Sequence, residues 1–116
     1  MKLPNAENLV VDRAKIVDYL LSETHEDGRH KAAFFRGFGF LPEFWQEMAE
    51  ALRKHASDND VAKEEPSPFG RRFIVDGIMQ MPDGRVPLVR TVWFRRTDET
   101  TIRFVTAYPI KRRELE

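Results

Sequence analysis

The sequence predicts an α+β fold in which N-terminal helices pack on a C-terminal antiparallel β-sheet. Three observations carry that expectation. Apolar residues recur at three- and four-residue steps through the first half of the chain, the spacing of helices with one buried face. Runs rich in β-branched and aromatic residues fill the second half, and Asp83-Gly84 sits between two of them as a hairpin signal. A polar stretch with Pro66 and Pro68 separates the halves.

The elements follow in order. Leu9-Val10-Val11 is a short apolar start. Asp12 is placed to cap a first helix through Leu21, in which Ile16, Val17, Leu20 and Leu21 share a face. Ser22 to Gly28 reads as a polar loop. A second, short helix spans Arg29 to Arg36, with Ala33, Phe34 and Phe35 as its inward candidates, and Gly37 can stop it in a left-handed conformation. Pro42 suits the first turn of a third helix. There Leu41, Trp45, Met48, Leu52 and His55 line one face, and the helix ends near Ala56.

Residues 1–116 are expected to form one domain, with a helical half at 1–56, a loop at 57–70, an antiparallel meander at 71–109 and a tail at 110–116. The meander has three strands, with room for a fourth. Its first two are Phe73 to Met81 and Val86 to Arg96. A turn at Thr97 to Thr100 leads into Thr101 to Tyr108, which Pro109 closes.

A two-residue turn at Asp83-Gly84 sets Pro82 opposite Arg85, Gly77 opposite Arg90, Val75 opposite Val92 and Phe73 opposite Phe94. One face of the hairpin is then Phe73, Val75, Met79, Leu88, Val92 and Phe94, apolar except for Arg90, with Gly77 leaving it space. An arginine on such a stripe must be paired or must project into a cleft, because a lone buried charge is too costly.

Composition limits the function. With 41% hydrophobic and 33% charged residues, the chain should fold as a globule. The absence of cysteine excludes disulfides, thiolate metal sites and cysteine nucleophiles. A balance of 19 basic and 19 acidic residues argues against wholesale polyanion binding and leaves room for a local basic site. With no apolar signal core and no membrane-length apolar run, the expected location is cytoplasmic, with no membrane partner. No metal or cofactor is expected.

Three sets of residues are candidates for chemistry. Arg90 could bind an anion, or could form a salt bridge to a helix carboxylate such as Glu47 or Glu50. Gly28-Arg29-His30-Lys31 places basic and titratable groups at a helix start, where free N–H groups also favour an anion; a merely solvated helix start reads the same way. Thr106 and Tyr108 lie two apart on the last strand and offer two hydroxyls to one face, though both are also common strand formers. A four-residue second turn would put Thr91 opposite Thr106, whereas a one-residue bulge would bring Arg90 beside Tyr108. His25 and His30, with Glu26 and Asp27, give a weak metal signal that Gly28 interrupts. His55 fits a helix end, and Gly37-Phe38-Gly39 lacks the strand and third glycine of a dinucleotide loop.

Leu3-Pro4-Asn5-Ala6-Glu7, Gly28-Arg29-His30-Lys31-Ala32 with Phe35, Val89-Arg90-Thr91-Val92-Trp93 and Arg103-Phe104-Val105-Thr106-Ala107-Tyr108 resemble an uncharacterised bacterial family. Its members occur as stand-alone proteins and as C-terminal domains of phage and secreted-toxin proteins. That family is similar in layout to the barnase–EndoU–colicin–RelE-like ribonucleases. The resemblance implies a metal-independent endoribonuclease, the toxin of a toxin–antitoxin pair, with RNA as substrate and a small antitoxin or immunity protein as partner. It implies that His30, Arg90, Thr106 and Tyr108 face one catalytic cleft, and that Arg29, Lys31 and Arg103 contact the substrate. Arg29 stands where many relatives carry lysine, and Ile102 where a proline is common. The competing class is a non-catalytic interaction module that uses an aromatic strand face around Trp93 or the basic Lys111-Arg112-Arg113.

Overall fold

The computed structural model describes residues 1–4 and 8–115, so Asn5-Ala6-Glu7 of the family-like opening lies outside the described residues. The described residues form an α+β fold, as expected: helices first, then a four-stranded antiparallel sheet. Helix α1 (Arg13–Lys15) runs directly into a π-helical segment, Ile16–Leu20. It is followed by α2 (Arg29–Gly37), a 3-10 turn at Pro42–Phe44 and α3 (Trp45–Asp58). Strands β1 (Val61–Ser67), β2 (Gly70–Ile78), β3 (Leu88–Arg96) and β4 (Ile102–Pro109) lie in the order β1-β2-β3-β4, and a 3-10 turn at Arg112–Leu115 follows.

The first helix buries Ile16, Leu20 and Leu21, close to the expected face. Its wide turn closes on a hydrogen bond from the Leu21 amide to the Ile16 carbonyl, 2.8 Å. Gly28 then packs on the Tyr19 backbone, where a Cβ would come within 2.3 Å of the Tyr19 carbonyl oxygen. His25 organises the start of α2: its Nδ1 accepts from the Asp27 and Gly28 amides, both at 3.0 Å, and its carbonyl accepts from Arg29. Helix α2 buries Ala32 and Phe35 and exposes Ala33, one position away from the expected inward set. The left-handed residue after it is Gly39, with φ 106°, two residues beyond the expected Gly37. In α3 the buried stripe is Met48, Ala49, Leu52, His55 and Ala56, while Leu41 is exposed.

The segment expected as a loop at 57–70 contains β1. Its residues are mostly exposed and charged, so no apolar alternation marks it. An edge strand needs only one paired side, and charge with Pro66 on the free edge discourages further pairing. Glu64 and Glu65 lie near Arg71 and Arg72 of β2, at 3.9 and 3.7 Å.

The β2–β3 register differs from expectation by one residue. The loop is Pro82-Asp83-Gly84, with the Gly84 amide bonded to the Met81 carbonyl at 3.0 Å and Gly84 at φ 89°. This is the three-residue hairpin with a left-handed glycine. Asp76 therefore faces Arg90, Gly77 faces Val89 and Phe73 faces Trp93. One slip reverses every side chain of β3: Val89, Thr91 and Trp93 point into the helix-packed core, and Arg90 lies on the opposite face. The space beside Gly77 holds the Asn59 side chain, within 2.6 Å of where a Cβ would stand. Trp93 is fully buried, edge-on to Phe104 at 5.4 Å, so it offers no aromatic docking face. Burying side chains of this size contributes on the order of 2–3 kcal/mol each.

The β3–β4 register shifts between Val92 and Trp93, a bulge that leaves Val105 unpaired and sets Arg90 opposite Tyr108 and Val92 opposite Thr106. Ile102 is buried at the start of β4. Val10 pairs in parallel with the outer edge of β4, accepting from the Phe104 amide at 2.8 Å.

Candidate active site at the edge of β4

Beyond the point that Val10 covers, the edge of β4 is faced by the π-helical segment and the first turn of α2. Three polar side chains meet there. Lys31 Nζ donates to Thr106 Oγ1 at 3.0 Å and is in direct hydrogen-bond contact with the Tyr19 hydroxyl. The Tyr19 hydroxyl lies 3.0 Å from Thr106 Oγ1. The ammonium also sits 4.9 Å from the centre of the Tyr19 ring and 5.6 Å from that of Tyr108, favourable cation–π geometry. All four side chains are half-buried. Among the described residues Lys31 forms no ion pair; hydroxyls and aromatic faces hold its charge without neutralising it.

Electrostatics at Tyr19 follow from that arrangement. Burial pushes the phenol up, but hydrogen bonds from Lys31 and Thr106 and the charges of Lys31 and Lys15 outweigh it, so its pKa falls below the usual value. The site thus combines a cation that has no ion-pair partner among the described residues with a phenol of lowered pKa.

Tyr108 connects this cluster to Arg90, which lies directly opposite it across β3 and β4. Asp76 grips Arg90 through two parallel bonds, Nε to Oδ1 at 2.7 Å and Nη2 to Oδ2 at 2.8 Å. The carboxylate, the Tyr108 hydroxyl and their charges raise the Arg90 pKa against the opposing effect of burial. The expected salt bridge therefore exists, but its partner is Asp76 on the neighbouring strand, not Glu47 or Glu50 on a helix. Beside the pair a cavity of about 340 Å³ is lined by Ala62, Lys63, Ile74, Asp76, Arg90 and the tail residues Glu114 and Leu115.

Of the expected site residues, Lys31, Thr106, Tyr108 and Arg90 come together as a continuous chain of contacts. His30 and Arg29 are exposed on the first turn of α2, next to Lys31 in sequence. Arg103 is half-exposed at the far end of β4, 3.9 Å from Asp12, and does not join the cluster. At the start of α2, His25 accepts from the Asp27, Gly28 and Arg29 amides. Among the described residues no three His, Asp or Glu side chains gather as a metal site. No described helix is long and apolar enough to cross a membrane.

Two members of the constellation escape a reading of the sequence. Tyr19 borders the apolar stripe of the first helix and looks like an ordinary amphipathic edge residue. Asp76 becomes visible as a partner only once the three-residue loop sets the β2–β3 register.

The fold and site define a small α+β domain with a lysine-centred polar cluster at one sheet edge. The chain belongs to the family described as a domain of unknown function, DUF6883, whose model matches residues 2–111. No curated protein matches it. Among solved structures, a chain of a contact-dependent growth inhibition toxin–immunity protein complex from Klebsiella pneumoniae 342 has the same fold. The two superpose with a TM-score of 0.68 at 20% identity, over 87% of this chain and 99% of that one.

Proposed function

We propose that this domain is a metal-independent endoribonuclease of the toxin type, cleaving RNA by attack of the 2′-hydroxyl on the adjacent phosphate. The observation that carries the proposal is the half-buried Lys31, which has no ion-pair partner among the described residues, is bonded to Tyr19 and Thr106, and sits by the ring of Tyr108, opposite the anchored Arg90. Lys31 supplies positive charge to the phosphoryl oxygens, and Arg90, held by Asp76, adds its remaining N–H groups. Thr106 and Tyr108 orient the phosphate by their hydroxyls. His30, adjacent on α2, takes the proton of the 2′-hydroxyl, and Arg29 and Arg103 contact the flanking chain. A cognate immunity protein is the proposed partner, in keeping with the fold shared with a toxin–immunity complex.

The test is cleavage of total RNA in EDTA by wild type, His30→Ala and Arg90→Ala. Strong cleavage by the wild type and weak cleavage by both variants supports the mechanism; equal cleavage by all three refutes it.

The solved complex contains a toxin and an immunity protein, and that observation supports a second reading, an immunity-type binding module. Expression separates the two. A toxin arrests growth unless its partner is present, whereas an immunity protein is harmless alone and rescues cells from the neighbouring toxin.

A further inference from the structure

We propose that Tyr19 is the proton donor to the leaving oxygen at this site, and that Lys31 stabilises the phenolate left behind. The inference rests on the ribonuclease reading above and supplies the acid which that reading lacks. The 5′ oxygen of a nucleotide leaves poorly as an alkoxide, so a cleft without a metal needs a group that protonates it.

Geometry selects Tyr19. Its hydroxyl contacts Lys31 Nζ directly and stands 3.0 Å from Thr106 Oγ1, so the incipient phenolate meets a cation and a hydroxyl donor already in place. The π-helical turn and the close approach of Gly28 to the Tyr19 backbone bring the first helix against α2 at this point. The same neighbours lower the phenol pKa against the effect of burial, which strengthens it as an acid. An imidazole can take a proton and a phenol can give one, so the two groups divide the base and acid roles between them.

The step balances. His30 takes the 2′-hydroxyl proton, the 2′ oxygen bonds to phosphorus, and the bond from phosphorus to the 5′ oxygen breaks. The Tyr19 proton passes to that 5′ oxygen. The products are a 2′,3′-cyclic phosphate and a 5′-hydroxyl; the imidazolium and the phenolate then exchange protons with water.

The experiment compares wild type with Tyr19→Phe on an RNA oligonucleotide, and on the same oligonucleotide with sulfur replacing the 5′ oxygen at the cleaved linkage. A thiolate departs without a proton. Tyr19→Phe is expected to lose about 100-fold or more on the oxygen substrate and far less on the sulfur one. Equal losses on both overturn the role of Tyr19 and leave the ribonuclease reading standing. A wild type inactive on RNA overturns that reading, and the inference with it. A second measurement uses the fact that the chain has only two tyrosines. In Tyr108→Phe the phenolate absorbance reports Tyr19 alone, and adding Lys31→Met should raise its ionisation midpoint. An unmoved midpoint overturns the role given to Lys31.

Discussion

Asp76 faces Arg90 directly across β2 and β3 and holds its guanidinium with both carboxylate oxygens. The Asp76 side chain is only 6% exposed and that of Arg90 23%, so the pair is largely withdrawn from water. Removing one partner strands the other's charge. Arg90→Ala should destabilise the fold by about 3 kcal/mol, and Asp76→Ala/Arg90→Ala by less than the sum of the single changes. Urea unfolding of the three variants checks this, and it separates loss of fold from loss of activity at Arg90.

His55 is the buried end of a polar relay. Trp93 Nε1 donates to Thr91 Oγ1 at 2.9 Å, Thr91 donates to His55 Nδ1 at 3.1 Å, and His55 Nε2 donates to the Val89 and Gly77 carbonyls at 2.8 and 3.2 Å. Thr91 is the donor to Nδ1 when the ring is neutral, the state that its burial favours. Burial lowers the His55 pKa from 6.5, outweighing the carbonyls and the charges of Asp76 and Asp58. Below about pH 6.5 the unfolded chain takes up a proton that the folded one refuses, so the stability contributed by His55 is complete above that pH. It is lost as the pH falls towards the depressed folded value. Urea midpoints should drop between pH 7.5 and 5 in the wild type; a comparable drop in His55→Gln would assign the effect elsewhere.

Lys31→Met keeps most of the stem that packs by Tyr19 and Tyr108 but removes the charge. RNA cleavage should fall about 100-fold or more, while the urea midpoint changes little, because no carboxylate among the described residues loses a partner. A cleavage rate near that of the wild type would take the cation out of the mechanism.

Gly28→Ala probes the close contact beside the site. The new methyl would lie 2.3 Å from the Tyr19 carbonyl oxygen, so backbone must move. The expected cost is about 1–3 kcal/mol, with a raised Tyr19 ionisation midpoint as the phenol separates from Lys31. An unchanged midpoint in a folded variant would show that the contact does not position Tyr19.

The class of fold was legible in the helical spacing and in the β-branched runs, but the face of each strand was not. Asp83-Gly84 is compatible with loops of two or three residues, and that single difference carries Arg90 from the core face to the opposite face beside Asp76. Alternation alone cannot reveal the slip, because Val92 and Trp93 are both apolar and both buried. Strand β1 was hidden because a charged edge strand obeys its partner's register more than any pattern of its own. Lys31, Thr106, Tyr108 and Arg90 stood out by residue type. Tyr19 did not, since its position depends on a π turn and on Gly28, features that periodicity treats as ordinary helix and loop.

If the Lys31 cluster directs attack of a 2′-hydroxyl on its own phosphate, the ends of the cleaved RNA carry the record of it. Mass spectrometry of fragments produced by the wild-type protein in EDTA should find 2′,3′-cyclic phosphate at one end and a 5′-hydroxyl at the other. Intact RNA, or fragments ending in 3′-hydroxyl and 5′-phosphate, would rule that attack out.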